Sequence, residues 1–211
     1  MIHYKITDGN GWTKNNTQWG ENITHEITKP GTTLCSDEVF HGYETPEIAI
    51  FMNPAHGNYD EKTMLLWEAK GTVVAGDGMK LGFKRQTTIK QVEKPIITAE
   101  QRVEIAILCT MKVIKNRQWR KWARNWITGT DRTVNAINAI NGTNAVDIAN
   151  AVEVAYAATY AINAVKASNG TNAATYASNA AAFAAFAAYA INGKINISRI
   201  IKSVITIRSE I

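Results

Sequence analysis

A pentapeptide that occurs twice constrains this chain more than any other feature. Asn141-Gly142-Thr143-Asn144-Ala145 returns as Asn169-Gly170-Thr171-Asn172-Ala173, and each copy runs on to Tyr-Ala-Ile-Asn, at Tyr160–Asn163 and Tyr189–Asn192. The stretch Asn172–Asn192 holds 11 alanines. Alanine has the highest intrinsic helix propensity, and it lets helix axes approach toward the ~8 Å end of the usual range. Two helices are therefore predicted, about Asn144–Lys166 and Asn172–Asn192, each after an Asn-Gly turn with Thr143 or Thr171 as N-cap. The first carries Ile148, Val152, Ala155, Thr159 and Ile162 on one stripe. The second has Tyr176, Phe183 and Phe186 as its large side chains, with Asn172, Thr175 and Asn179 along a wet edge. Ala180–Ala190 is apolar on every face, so protein or a second copy of the chain should enclose it. Two copies are too few for a solenoid, and a helical bundle is expected.

No charged residue lies between Lys166 and Lys194, a length that matches the ~20 residues a bilayer requires. Asn169, Asn172, Ser178 and Asn179 interrupt it, which favours a buried helix over a membrane span. The chain opens Met-Ile-His-Tyr without a signal peptide and has only Cys35 and Cys109, so a reducing cytoplasm is expected. Charge is uneven. Residues 1–97 hold 10 Lys/Arg against 12 Asp/Glu, and residues 98–211 hold 13 against 6. The basic half admits an anionic partner.

Residues 1–97 read as a small α+β module. His3–Thr7 is a strand ended by Asp8-Gly9-Asn10-Gly11. Thr45 caps a short helix with Pro46 at its first position, and Asn53-Pro54 should stop it. Met64–Val74 and Met79–Val92 are strands, the latter alternating around Thr87, Ile89 and Val92, with Gly76-Asp77-Gly78 as the turn between them. Cys35, His25 and His41 lack the paired spacing of a metal site, and a small buried cysteine with locally bonded loop histidines is the expected arrangement.

Three segments carry a resemblance: Leu34-Cys35-Ser36-Asp37-Glu38-Val39-Phe40-His41, Thr45-Pro46-Glu47-Ile48-Ala49 and Leu66-Trp67-Glu68-Ala69-Lys70-Gly71. Together they resemble a family of uncharacterised phage and bacterial proteins with a Cys-Ser…Phe-His α+β domain and an Ala-rich helical tail. The order of elements is also loosely similar to ADP-ribosyltransferase-like folds. That similarity implies NAD handling, with His3 and Glu68 as the residues that would carry it.

In residues 98–211, Thr98 and Gln101 form a capping box, and Val103, Ile107, Met111 and Ile114 follow at helical spacing. Trp119, Trp122 and Trp126 share one face of a second helix, and Arg117, Lys121 and Arg124 another. A tryptophan seam in the core with a solvated basic face is the expected reading. Thr128-Gly129-Thr130-Asp131 ends that helix. Ile197, Ile200, Ile201, Val204 and Ile205 recur at helical spacing, with a strand as the alternative because so many are β-branched.

The whole is expected to be α+β: a β-rich module over 1–97 and an Ala-rich helical bundle over 98–211. The functional expectation is a non-enzymatic, phage-type accessory protein that sequesters a small nucleotide-derived anion. Arg120, Arg124, Trp126, Tyr43, His41 and Asn163 are its expected ligand contacts. Guanidinium forks suit phosphate and aromatic rings suit a base. No cofactor, metal or catalytic residue is called for, a homodimer is expected, and membrane and nucleic acid are not expected partners. The alternatives are an NAD- or ADP-ribose-acting enzyme and a protein-binding inhibitor or immunity protein.

Overall fold

In a computed structural model, which describes residues 1–29, 31–133, 135–136, 152–167, 171–190 and 195–209, the chain divides into two units, Met1–Ile97 and Thr98–Ile211. The first holds β1 (Ile2–Thr7), β2 (Trp12–Thr13), β3 (Thr17–Gln18), β4 (Thr24–Glu26), β5 (Phe40–Gly42), α1 (Pro46–His56), β6 (Leu65–Gly76) and β7 (Leu81–Val92). The second holds α2 (Ala99–Met111), α3 (Arg117–Ile127), α4 (Val152–Lys166), α5 (Thr171–Ala190) and α6 (Ile197–Ser209). The class is α+β, with the sheet in the first unit and the bundle in the second.

The β6–β7 hairpin is the spine of the N-terminal unit. At its turn the Asp77 carboxylate accepts the backbone N–H groups of Met79 at 2.9 Å and Lys80 at 2.8 Å. Gly78 there takes a left-handed φ of +83°. Three register shifts, at Glu68/Ala69, Gly71/Val73 and Val73/Ala75, bend the hairpin. β1 pairs with the β6 edge, and β4 and β5 with successive parts of the β7 edge. The bend brings these two edges together. Tyr4 and Tyr43 exchange both backbone hydrogen bonds, at 2.8 and 2.7 Å, and link β1 to the residue after β5. Strands β1, β6, β7 and β5 thus close on one another. Inside, His3 stacks on Phe83 with ring centroids 3.8 Å apart and bonds Gln86 at 2.7 Å. Gln86 and Thr88 are fully buried, whereas Thr87, Ile89 and Val92 are only half-buried. The alternation expected on β7 therefore gives way to a polar interior. Thr88 tolerates that place because its hydroxyl donates to the carbonyls of Gly20 and Ile23.

One departure involves α1. Thr45 caps it as expected, accepting the N–H of Ile48 at 3.3 Å. The helix, however, runs past Asn53-Pro54 to His56. A proline inside a helix forfeits one backbone hydrogen bond and crowds the carbonyl four residues back, so this end of the helix needs other ties. Asn53 secures the end: its carbonyl accepts from Gly57 at 2.8 Å and Asn58 at 2.6 Å, and its side-chain amide bonds the Tyr59 backbone in both directions. The added turn is what carries His56 to the site described below.

In the second unit Thr98 and Gln101 form the capping box. Val103, Ile107 and Ile114 are buried, as are Trp119, Trp122 and Trp126, while Arg117, Lys121 and Arg124 are exposed. α5 packs on both α2 and α4. The seam is alanine: Ala157, Ala161 and Ala164 on α4, and Ala177, Ala180, Ala181 and Ala184 on α5, are all without exposure. Tyr160 stacks on Phe183 at 5.4 Å beside them. The tail is helix, not strand, with Ile197, Ile200, Ile201 and Val204 inward. Asn141–Ala145, Thr143, Ile148, Asn169–Gly170 and Asn192 lie outside the described residues, as do the side chains of Val152, Ala155 and Phe186. Among the described residues no helix is long and apolar enough to cross a membrane.

Closure of the strand ring depends on glycine where backbones and rings crowd. A Cβ on Gly42 would stand 2.6 Å from His3 Cδ2 and 3.0 Å from both Gln86 Nε2 and Phe83 Cε2. Gly42→Ala is expected to destabilise the N-terminal unit by ~1–3 kcal/mol, the usual cost of overpacking. Urea denaturation followed by tryptophan fluorescence measures it, and an unchanged midpoint would refute the tight interior.

Candidate functional site

A cavity of about 700 Å³ opens into the N-terminal unit, a size suited to a small-molecule ligand. Its wall combines β1, through Lys5 and Ile6, with the β2–β3 turn, the loop before β5, the end of α1 and the β6–β7 turn. Phe40, Tyr43 and Tyr59 supply aromatic surface, and Lys5, Lys14 and Lys80 supply cations.

Lys5 is 4% exposed. Among the described residues strand closure leaves its ammonium one hydrogen bond, to the His41 carbonyl at 3.0 Å, and places it 4.1 Å from the centroid of the Trp19 ring. Burial lowers its pKa from 10.5 to about 7. Lys80 is 8% exposed and donates to the Cys35 sulfur. Neither lysine forms an ion pair with a carboxylate among the described residues. Asp77, at the turn that carries Lys80, directs one oxygen to backbone N–H groups instead.

Three histidines complete the picture. His41 Nε2 accepts the Cys35 N–H at 3.0 Å, which requires that nitrogen to be unprotonated. His56 Nδ1 lies 3.3 Å from the Tyr43 hydroxyl. His3 sits inside the strand ring, beneath this wall and outside the cavity lining. Burial holds all three near pKa 4, down from 6.5; neighbouring Lys80 and Lys5 add to the effect on His41, Lys80 on His56, and Lys5 on His3. Burial likewise raises the Tyr43 hydroxyl far above its ordinary range, so it stays protonated and able to donate.

The cavity brings together two of the expected ligand contacts, His41 and Tyr43. Arg120, Arg124, Trp126 and Asn163 belong to the other unit. The Arg120 guanidinium is not directed at a ligand: it donates to the carbonyls of Met111 at 2.6 Å and Ile114 at 3.0 Å, closing the C-terminal end of α2. Arg124 is exposed on α3, and Asn163 is half-buried on α4. Trp126 is buried, and Arg132 lies over its ring at 4.5 Å. Cys35 is exposed at the cavity wall rather than buried, in a loop where it adopts a left-handed φ of +63°; Cys109 is the buried cysteine. No protein-family model, curated protein or solved structure matches the chain.

The roles that an ADP-ribosyltransferase-like reading gives His3 and Glu68 do not meet in one cleft. His3 pairs across the sheet with Ala69, and Glu68 with Tyr4. Directly paired residues share a face and successive residues alternate, so His3 and Glu68 point to opposite faces. Glu68 meets Lys90 at 4.0 Å. Lys5 and Lys80 are the cavity residues that the sequence reading did not name; Cys35 it weighed with His25 and His41 and expected to be buried. The one available signal was the polar series His3, Lys5, Thr7 on alternate positions of a strand, all of it buried.

Two predictions follow from these placements. Arg120→Ala should lower stability by ~1–3 kcal/mol through the carbonyls it leaves without partners, while ligand affinity in the N-terminal cavity is unchanged; chemical denaturation beside a binding isotherm separates the two. Between pH 6.5 and about 4 the unfolded chain takes up protons that buried His3, His41 and His56 refuse. Stability is therefore full above about 6.5 and lost as pH falls through 4. Thermal melts across that window should show the decline, and His56→Asn should make it shallower.

Proposed function

We propose that this chain binds and sequesters a small nucleotide-derived anion, seated in the N-terminal cavity. The observation that carries this reading is the pair of buried lysines, Lys5 and Lys80, lining a cavity with no carboxylate paired to either among the described residues. A buried cation without a counter-charge is costly, and an anionic ligand offsets that cost on entry. Phosphate or diphosphate meets the ammonium groups, and Phe40, Tyr43 and Tyr59 offer surface for a base or sugar. The protonated Tyr43 hydroxyl and the neutral His41 and His56 rings are neutral hydrogen-bonding partners that do not repel an anion. Its place as a phage-type accessory factor acting on a host signal is part of the same proposal, motivated by the family resemblance of residues 34–71.

Titration calorimetry with ADP-ribose, NAD and cyclic dinucleotides, with inorganic phosphate as competitor, tests the reading. At least one nucleotide should bind, phosphate should compete, and mass analysis should recover the ligand intact. Lys80→Met should weaken binding by about tenfold or more, since a hydrogen bond to a charged group is worth ~1.5–3 kcal/mol. Arg124→Ala should change nothing. Absence of binding by every nucleotide and by phosphate would overturn the proposal; a converted ligand would replace sequestration with catalysis.

A further inference from the structure

Lys5 differs from every other cation of the cavity wall in its surroundings. Lys14 is exposed, and Lys80 rests against the Cys35 sulfur. Lys5 faces the cavity from a strand interior, with a backbone carbonyl as its one hydrogen-bond acceptor among the described residues and the faces of Trp19 and Phe40 at 4.1 and 6.0 Å. Those aromatic walls exclude water and supply no negative charge. The titratable groups that sense its charge are His3 on its own strand and His41 on β5.

We propose that Lys5 is an imine-forming amine, and that the anion held in this cavity carries an aldehyde, or a sugar whose free anomeric carbon opens to one. The inference rests on the anionic-ligand reading of the same cavity and names the chemical class of that ligand. The geometry supplies what such a lysine requires: a fixed amine in a dry wall, a volume that admits a phosphorylated ring, and a second ammonium, Lys80, to hold the phosphate. Burial also brings the Lys5 pKa to about 7, so a large share of the amine is neutral and nucleophilic at neutral pH. In the first step the Lys5 nitrogen lone pair forms a bond to the carbonyl carbon, and the π pair moves to oxygen. That oxygen takes up a proton and the nitrogen releases one, both exchanged with solvent through the cavity mouth. The carbinolamine then breaks its C–O bond, nitrogen loses its second proton to form C=N, and one water leaves. Aldehyde and amine thus give imine and water, with no oxidant or reductant. Binding is covalent and reversible, which suits retention of a ligand rather than its conversion.

The test uses the full chain at pH 7 and pyridoxal 5′-phosphate, which joins an aldehyde to a phosphate, below one equivalent. Borohydride then fixes any imine as a secondary amine, and peptide mass mapping locates it. Lys5 should be labelled about tenfold or more ahead of Lys14 and Lys80, because it is fixed in the dry wall of the cavity and burial leaves a large share of its own amine neutral at pH 7. Excess inorganic phosphate should protect it, and Lys5→Arg should remove the label while the thermal melt stays cooperative. If Lys5→Arg does not fold, the map of the unaltered chain decides alone. Label on Lys14, Lys80 or surface lysines with Lys5 clean overturns the proposal. If phosphate still binds calorimetrically in that case, only the imine falls. If neither phosphate nor nucleotide binds, the anion seat falls with it.

Discussion

The reciprocal hydrogen bond between Tyr4 and Tyr43 holds the N-terminal unit in the form that makes a site. Without it β1 and β5 are two edges of one bent sheet, each with unpaired backbone groups. With it the edges meet, and the neighbours of the two tyrosines are forced together. Lys5 follows Tyr4, and His41 and Gly42 precede Tyr43. The Lys5 ammonium therefore comes to the His41 carbonyl, and Gly42 comes close enough to His3 that no side chain fits between them. The register shifts along β6 and β7 supply the bend, and the glycines at 42 and 71 supply the room. Site geometry and fold closure are in this sense one constraint.

That constraint has an energetic consequence. A strand ring of this size would be more stable with aliphatic side chains facing inward. This one carries His3, Lys5, Thr7, Gln86 and Thr88 at burial of nine-tenths or more. The polar atoms are mostly satisfied in pairs, as in His3 with Gln86 and Thr88 with the carbonyls of Gly20 and Ile23. The exceptions are Gln86 Oε1, which is buried with no hydrogen-bond partner among the described residues, and Lys5, whose carbonyl acceptor and aromatic face replace much less than a hydration shell. Consistency between local pattern and global fold is broken where function tends to lie, and here it is broken at the cavity wall.

The parts of the fold that were legible from sequence are those fixed by near neighbours. Thr45 and Thr98 announce their helices through contacts three residues away, and Gly76-Asp77-Gly78 announces its turn through one carboxylate. Trp119, Trp122 and Trp126 mark an inward face by spacing alone, and the alanine runs declare close helix packing before any partner is known. Pro54 misled because proline near a helix end is tolerated when other groups tie that end, and the tie, Asn53 to Tyr59, lies outside the helix. The candidate site was much less legible. His41 and Tyr43 were named from sequence, yet what brings them into one cavity wall with Lys5 is the meeting of β1 with β5, a pairing between distant segments that no local pattern encodes. Lys5 reads in sequence as an ordinary strand lysine. Arg120 reads as a free guanidinium, although a basic residue just beyond a helix C-terminus has an alternative partner in the last carbonyls.

Net charge along the chain and the placement of buried cations differ for a physical reason. The excess of Lys and Arg lies in residues 98–211, but Arg117, Lys121 and Arg124 are solvated, and Arg120 and Arg132 are engaged on backbone carbonyls. A solvated cation is already stabilised by water and gains little from an anion. The N-terminal half is net acidic, yet it contains the two buried lysines. For those groups water has largely been removed, so in the proposed complex an anion would meet cations that pair with no carboxylate among the described residues. Desolvation at particular atoms, rather than the sum of charges along the chain, is the ground on which the proposal seats an anion at Lys5 and Lys80.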